Sequence, residues 1–298
     1  MTDSAAVARF PGGRVAPTDW SVLAGVAADH RGAVQLTPGG GVGIRRADGG
    51  SVGRAELVAA GLASGIADGR LPRILASPLA GRVAGHHDLA DLPERLHAEL
   101  AVRLAGAGLA GGLVVGFDAG SGDVLAHSPD LAVVVRGAGE AVLVRVAGRD
   151  AAVELAVADA VTVLTDVTMD VARTGNEGSG GPGPADLRDL VVVALGAHPL
   201  VSPVRTTARL TTAVEVPRVG WVDTDDGLVS LLSVVADGVV PARLAEFLGA
   251  VDRPGTITAD RVIGLHGLTE QMAEQVVRVL APMGMIYDAA SPWADGSA

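Results

Sequence analysis

Residues 32–46 read Gly-Ala-Val-Gln-Leu-Thr-Pro-Gly-Gly-Gly-Val-Gly-Ile-Arg-Arg. Two short apolar runs, 32–36 and 42–45, flank the turn cluster Thr37-Pro38-Gly39-Gly40-Gly41, which predicts two strands joined tightly. Upstream, residues 15–30 read as a helix. Pro17-Thr18-Asp19 supplies start chemistry, and Trp20, Leu23, Val26 and Ala27 fall on one face. The same order returns near the other end of the chain. Gly238-Val239-Val240-Pro241 leads into a helix over 241–251, then a strand around Thr256-Ile257-Thr258, a turn, an apolar run over 262–265 and a helix over 269–281. Segments 12–46 and 237–267 therefore share one pattern, and an internal duplication of about 60 residues is the organising expectation. Two copies around a distinct middle predict a pseudo-two-fold α+β protein.

The middle reads differently. A helix is expected over 53–67 and a short strand over 73–76, before Ser77-Pro78. Residues 89–105 are amphipathic, with Pro93 in the first turn. A strand over 113–117 is closed by the turn residues 118–123. Residues 131–136 and 141–146 suit a hairpin across Gly137-Ala138-Gly139, and 151–173 read as mostly helical. The stretch 175–184, Gly-Asn-Glu-Gly-Ser-Gly-Gly-Pro-Gly-Pro, reads as a linker. A short helix at 185–195 and a strand at 206–216, ended by Pro217, complete the pass.

Composition narrows the chemistry. The chain has 298 residues, about two domains on size alone. It carries 23 basic and 34 acidic residues, a formal charge of −11. All the basic residues are Arg, so there is no Schiff-base lysine and no phosphate-loop lysine. There is no Cys, which excludes disulfides, thiol nucleophiles and any iron–sulfur cluster held by this chain. No apolar run approaches the roughly 18 residues a membrane span needs, and the first nine residues do not resemble a secretory signal. The cytoplasm is the expected compartment. An acidic balance with few aromatics argues against a nucleic-acid surface.

Several motifs are weak. Residues 106–111 and 178–183 match the G-x-G-x-x-G spacing, but the first follows a predicted helix and the second lies in the linker; neither sits between a strand and a helix as a dinucleotide site requires. His86-His87-Asp88 reads as a solvated helix cap with Asp88 at the N-cap rather than a metal pair. Asp223, Asp225 and Asp226 before Gly227 read as a hairpin turn, not a calcium loop. The polar groups that stand out are arginines near turns: Arg45 and Arg46 after the first glycine turn, Arg73 before Ser77-Pro78, and Arg261 in the matching turn of the second copy. A planar, permanently charged guanidinium suits carboxylate ligands, although each could equally be a surface arginine.

A family resemblance runs along these residues. Arg9-Phe10-Pro11-Gly12-Gly13-Arg14-Val15, the helix, and Val34-Gln35-Leu36-Thr37 with its turn resemble the ferredoxin-like half-domain of nitrite and sulfite reductases. More narrowly, Ile74-Leu75-Ala76-Ser77-Pro78-Leu79-Ala80-Gly81 is similar to the stretch after the first half-domain in precorrin-3B synthases. So is the strand 113–117 with Asp118, Gly120, Gly122-Asp123-Val124 and Asp130. In the second half, Val219-Gly220-Trp221, Asp226-Gly227, residues 241–248, 258–265 and 280–287, Asp288 and Ser291-Pro292-Trp293 follow the family's order. The resemblance covers about residues 9–136 and 218–293.

It implies two ferredoxin-like half-domains, 5–68 and 218–290, in pseudo-two-fold arrangement. A mixed α/β middle module resembling a sirohaem module would occupy 69–174, then the linker 175–184 and a connecting segment 185–217. It implies an oxidoreductase of cobalamin biosynthesis that binds a tetrapyrrole, precorrin or sirohaem, with Arg45, Arg46, Arg73 and Arg261 on its carboxylates. The chain departs from the pattern where Pro38 and Gly39, Pro72 and Gly112 stand at positions expected to carry cations; Arg261 matches. The iron–sulfur cluster cannot come from this chain, so catalysis would need a separate cluster-bearing protein. The alternative is a non-catalytic binding or scaffold relative that kept the fold.

Overall fold

The computed structural model describes residues 6–62, 71–89, 91–104, 112–136, 141–146, 149–176, 184–203 and 219–293. The chain divides into two compact units, one built from residues 1–67 and 216–298, the other from 68–215. The expected strand at 206–216, the turn at 137–139 and both glycine spacings at 106–111 and 178–183 lie outside the described residues.

The first unit begins with β1 (Ala8–Arg9), a single 3-10 turn at Pro11–Gly13, and β2 (Arg14–Val15). Helix α1 (Pro17–Asp29) starts where its chemistry says it should: Pro17 occupies the first turn, and Ala16 N donates to Asp19 Oδ2 at 2.8 Å. β3 (Ala33–Thr37) and β4 (Gly41–Arg45) pair antiparallel around the glycine turn, with Thr37 opposite Gly41. α2 (Arg54–Ala59) is shorter than the helix expected over 53–67: Ala60 is its C-cap, and Gly61 turns left-handed at φ 98°.

The middle unit carries one six-stranded sheet. β5 (Arg73–Ala76), β6 (Val114–Asp118) and β7 (Leu131–Arg136) run parallel; β8 (Ala141–Val146), β9 (Arg149–Ala156) and β10 (Ser202–Pro203) continue it antiparallel. Helices α3 (Leu92–Arg103), α4 (Ala160–Asn176) and α5 (Pro184–Ala197) share one core with alternate residues of the sheet, among them Leu96, Leu100, Val115, Phe117, Val133, Val144, Leu164 and Val191. Three expectations need correction here. Residues 149–156 form a strand, where a helix was expected from 151. Their Ala and Glu content favours helix, but pairing with β8 overrides that preference. The helix near 89 starts at Leu92, with Asp91 at the cap position, so Asp88 is not the N-cap. Residues 175, 176 and 184 of the expected linker belong to α4 and α5.

The second copy returns to the first unit. β11 (Gly220–Asp223) and β12 (Val229–Val235) form a hairpin around the Asp225–Asp226 turn. Another 3-10 turn at Ala236–Gly238 leads to β13 (Val239–Pro241) and α6 (Ala242–Ala250). β14 (Gly255–Ile257), β15 (Ile263–Leu268), α7 (Glu270–Leu280) and β16 (Met285–Ile286) follow. The duplication is visible in backbone angles: Gly12 and Asp237 occupy the same left-handed position of the two 3-10 turns, at φ 61° and 55°.

The two copies exchange strands. One sheet runs β1-β4-β3-β13 and the other β11-β12-β15-β14-β2, so each copy's short strand after the 3-10 turn completes the other copy's sheet. α1 packs against α6, and one hydrophobic core, centred on Trp20, Leu23, Leu36, Ile44, Leu244, Leu248, Ile263 and Leu265, spans both halves. This is the expected pseudo-two-fold pairing of ferredoxin-like half-domains. The exchange demands close approach at Gly13: at φ +73°, a Cβ there would lie 2.2 Å from Ile257 O.

Candidate functional site

Strand exchange brings the two glycine-turn regions together. Gly39 N donates to Ala259 O at 2.8 Å, so the turn 37–41 is tied to the turn 258–262. Gly40 and Arg261 hold matching left-handed positions in the two turns, at φ 75° and 65°. Arg261 N donates to Thr258 O at 3.0 Å, and its Cδ lies 3.2 Å from where a Gly238 Cβ would stand. Gln35 clamps the same place: its Nε2 donates to Asp237 O at 2.9 Å and to Leu36 O at 3.1 Å. The Arg261 side chain thus starts out past the Ala236–Gly238 turn that Gln35 clamps.

The other sequence-selected arginines stand elsewhere. Arg45 ends β4, exposed, opposite Ala33 and bridged to Ser51. It is four strand residues from Gly41, about 13 Å along the strand, because an extended chain carries each residue about 3.3 Å further from its turn. Arg46 is ion-paired with Asp48 at 3.4 Å. Arg73 opens β5 in the other unit, partly exposed. Arg261 alone of the four lies at the paired turns.

The middle unit has its own polar centre, at the carboxyl ends of parallel β5 and β6, the place where ligands of parallel sheets usually bind. Asp118, fully buried, accepts from Gly120 N (2.8 Å) and Gly122 N (2.9 Å) on Oδ1 and from Leu125 N (3.2 Å) on Oδ2. Burial pushes its carboxyl above the usual carboxylate range, and the neighbouring Asp123 adds to this; the three backbone donors oppose it. Asp123 Oδ1 accepts from Ser77 Oγ (2.5 Å), Ser121 Oγ (2.6 Å) and Val124 N (2.8 Å), while Ser77 Oγ accepts from Ala119 N (3.0 Å). These bonds close the loop 118–125 onto Ser77. The loop before α3 packs on it, with His87 N donating to Ala119 O at 2.8 Å. His86 is buried, not solvated, and neither ring nitrogen has a hydrogen-bond partner. No group of three His, Asp or Glu that could hold a metal occurs among the described residues.

A third polar group crosses the second sheet. His266, buried on β15, is bracketed by Thr256 Oγ1 (2.9 Å) and Ser230 Oγ (3.0 Å). Gly264 leaves the room: a Cβ there would come within 2.7 Å of His266 Nε2. The sequence alone gave no sign of this bracket, since its three members come from three strands.

The architecture defines a class: it is the nitrite/sulfite reductase fold, with two ferredoxin-like half-domains and a mixed α/β module. A solved structure that shares it is that of the Mycobacterium tuberculosis NirA protein, with a TM-score of 0.73 at 15% sequence identity. The match covers 95% of this chain and 57% of the NirA chain, so this chain spans little more than half of its structural neighbour. No family profile and no curated protein sequence match the chain. No described helix is long and apolar enough to cross a membrane.

Of the positions where the resemblance expects cations, Arg261 carries one. At Gly39 and Gly112 there is no side chain to offer a charge, and Pro72 has none either. Without a cysteine the chain cannot hold a cluster or bridge one to a haem iron.

Proposed function

We propose that this chain is a tetrapyrrole-binding relative of precorrin-3B synthase that works without an iron–sulfur centre of its own. The observation that carries the reading is the strand-exchanged junction, which fixes Arg261 between the paired turns. Two of the sequence's resemblances, the Pro-Gly-Gly stretch before α1 and the turn at 258–262, meet there. The ligand class is a precorrin or sirohaem, whose ring carboxylates suit a guanidinium. Any oxidoreductase chemistry in cobalamin biosynthesis would then fall to a complex with a separate cluster-bearing chain, in the cytoplasm. Of the three sequence-selected arginines in the duplicated unit, Arg261 is the principal contact and Arg45 and Arg46 stand further from the paired turns; Arg73, in the other unit, is carried only by the resemblance.

A second reading is favoured by Gly39, Pro72 and Gly112: a non-catalytic binding or scaffold relative that kept the fold and lost its ligand. Anaerobic titration with sirohaem, followed by absorbance, separates the two. Saturable, roughly stoichiometric binding that weakens in Arg261→Ala supports the first. No spectral change up to about 100 μM, a ceiling near −5.5 kcal/mol, overturns it in favour of the second.

A further inference from the structure

Two histidines are buried among the described residues, and their surroundings differ. His266 has a hydroxyl on each ring nitrogen. His86, 7% exposed, has no hydrogen-bond partner on either. Burying an imidazole takes one N–H donor and one acceptor nitrogen out of water, and such groups normally find partners inside the protein. A ring left with neither points to a group that the fold itself does not supply.

The backbone shows how the ring is held. Gly81 N donates to His86 O at 3.0 Å and His86 N donates to Val83 O at 2.9 Å, so residues 81–86 close on themselves. His87 N, on Ala119 O, ties the next residue to the end of β6. Ala84 and Gly85 are exposed, and Gly85 turns left-handed at φ 82° with open space where a Cβ would stand. His86 therefore follows directly on an exposed tip whose side chains are a methyl group and a hydrogen. The whole loop leaves the carboxyl end of β5, a place where parallel sheets take ligands.

The rest of the chain narrows what that ligand is. No three His, Asp or Glu gather to hold a metal among the described residues, so a bare ion would not find a full set of ligands here. A single imidazole suffices only where the other positions of the metal are already filled, as they are in a metal-bearing macrocycle. The chain has no Cys, so a thiolate cannot serve as the axial ligand, and histidine is a common alternative.

We infer that His86 is an axial ligand for the metal of a metallotetrapyrrole, bound through one of its ring nitrogens. The inference rests on the tetrapyrrole reading for its ligand class alone; it makes no use of Arg261.

The test adds ferric uroporphyrin to the full chain and reads the Soret and visible bands. A nitrogen ligand shifts both. The shift should be lost in His86→Ala and kept in His87→Ala. In His86→Gly, millimolar imidazole should restore it, which a merely structural residue would not allow. His86→Ala should weaken ferric uroporphyrin about tenfold and leave metal-free uroporphyrin unchanged, since that ring offers nothing to coordinate. Pulsed EPR of the ferric complex, with isotope-labelled histidine in the unaltered chain, should show an axial nitrogen that responds to the label; this needs no variant to fold. Ferric uroporphyrin bound with the same spectrum and affinity in His86→Ala overturns the inference and leaves the tetrapyrrole reading standing. A His86-dependent ferric complex that is unchanged in Arg261→Ala, with no binding of metal-free uroporphyrin, sustains the inference and overturns Arg261 as the principal contact. No binding of either porphyrin overturns both.

Discussion

The two units solve the same problem in opposite ways. In the duplicated unit, backbone exchange adds to a shared core: each half lacks a strand that the other supplies, and turns and close glycine contacts line the seam. In the middle unit, one Val/Leu core is closed at the ends of its parallel strands by a buried carboxylate that gathers three backbone N–H groups. The first arrangement joins two copies by exchanging backbone; the second closes a single sheet with a buried carboxylate.

The sharpest way to break this contrast is Asp118→Ala, which strands three N–H donors. Each buried unpaired donor costs about 1–3 kcal/mol, so a loss of at least about 3 kcal/mol is expected. All three tryptophans, Trp20, Trp221 and Trp293, belong to the duplicated unit, so their fluorescence reports that unit alone. In urea, the circular dichroism transition should move to lower denaturant while the fluorescence transition stays in place. A fluorescence transition that moves equally would mean the units do not unfold separately.

Gly13→Ala attacks the other side of the contrast. Its Cβ would collide with Ile257 O in a left-handed backbone, at a cost of about 2 kcal/mol. Here the fluorescence transition should shift. Gln35→Ala is gentler, removing a clamp on the exchanged strand for about 1 kcal/mol, and Gln35→Glu should be worse because carbonyl oxygens surround the site.

The smallest effects are in pH. The raised folded pKa of Asp118 means that its contribution is fully present below the ordinary carboxylate value, near pH 3.9, and is lost as pH rises through the folded value. Asp166 has the opposite sign. Its hydrogen bond from Arg103, at 2.6 Å, lowers its pKa, so its contribution is present above the ordinary value and lost on acidification. The pair is exposed, so Asp166→Ala should cost well under about 1 kcal/mol. Urea midpoints of Asp118→Asn and Asp166→Ala between pH 3 and 8 should depart from wild type with opposite slopes.

Much of the frame was legible. The helix at 17–29, the strands around Thr37–Gly41 and their recurrence after Gly238 follow from local period and turn chemistry. The exchange of β2 and β13 was not, because strand pairing between segments more than 200 residues apart leaves no mark in either one. β9 was read as helix because Ala and Glu carry no sign of the neighbouring strand. Arg45 and Arg46 were drawn to the site by nearness in sequence to the glycine turn, yet β4 leads them away from it. The Asp118 loop had a usable signal, an aspartate followed by glycines two and four residues on, as a carboxylate gathering loop amides requires.

Hydrogen exchange read by mass spectrometry, with and without saturating uroporphyrin, tests the location of the site most directly. The account predicts slower exchange at amides 9–15, 37–41 and 258–262 on binding, reduced in Arg261→Ala. Protection confined to residues 77–89 and 118–125 would contradict it, placing the ligand at the carboxyl ends of the middle sheet instead.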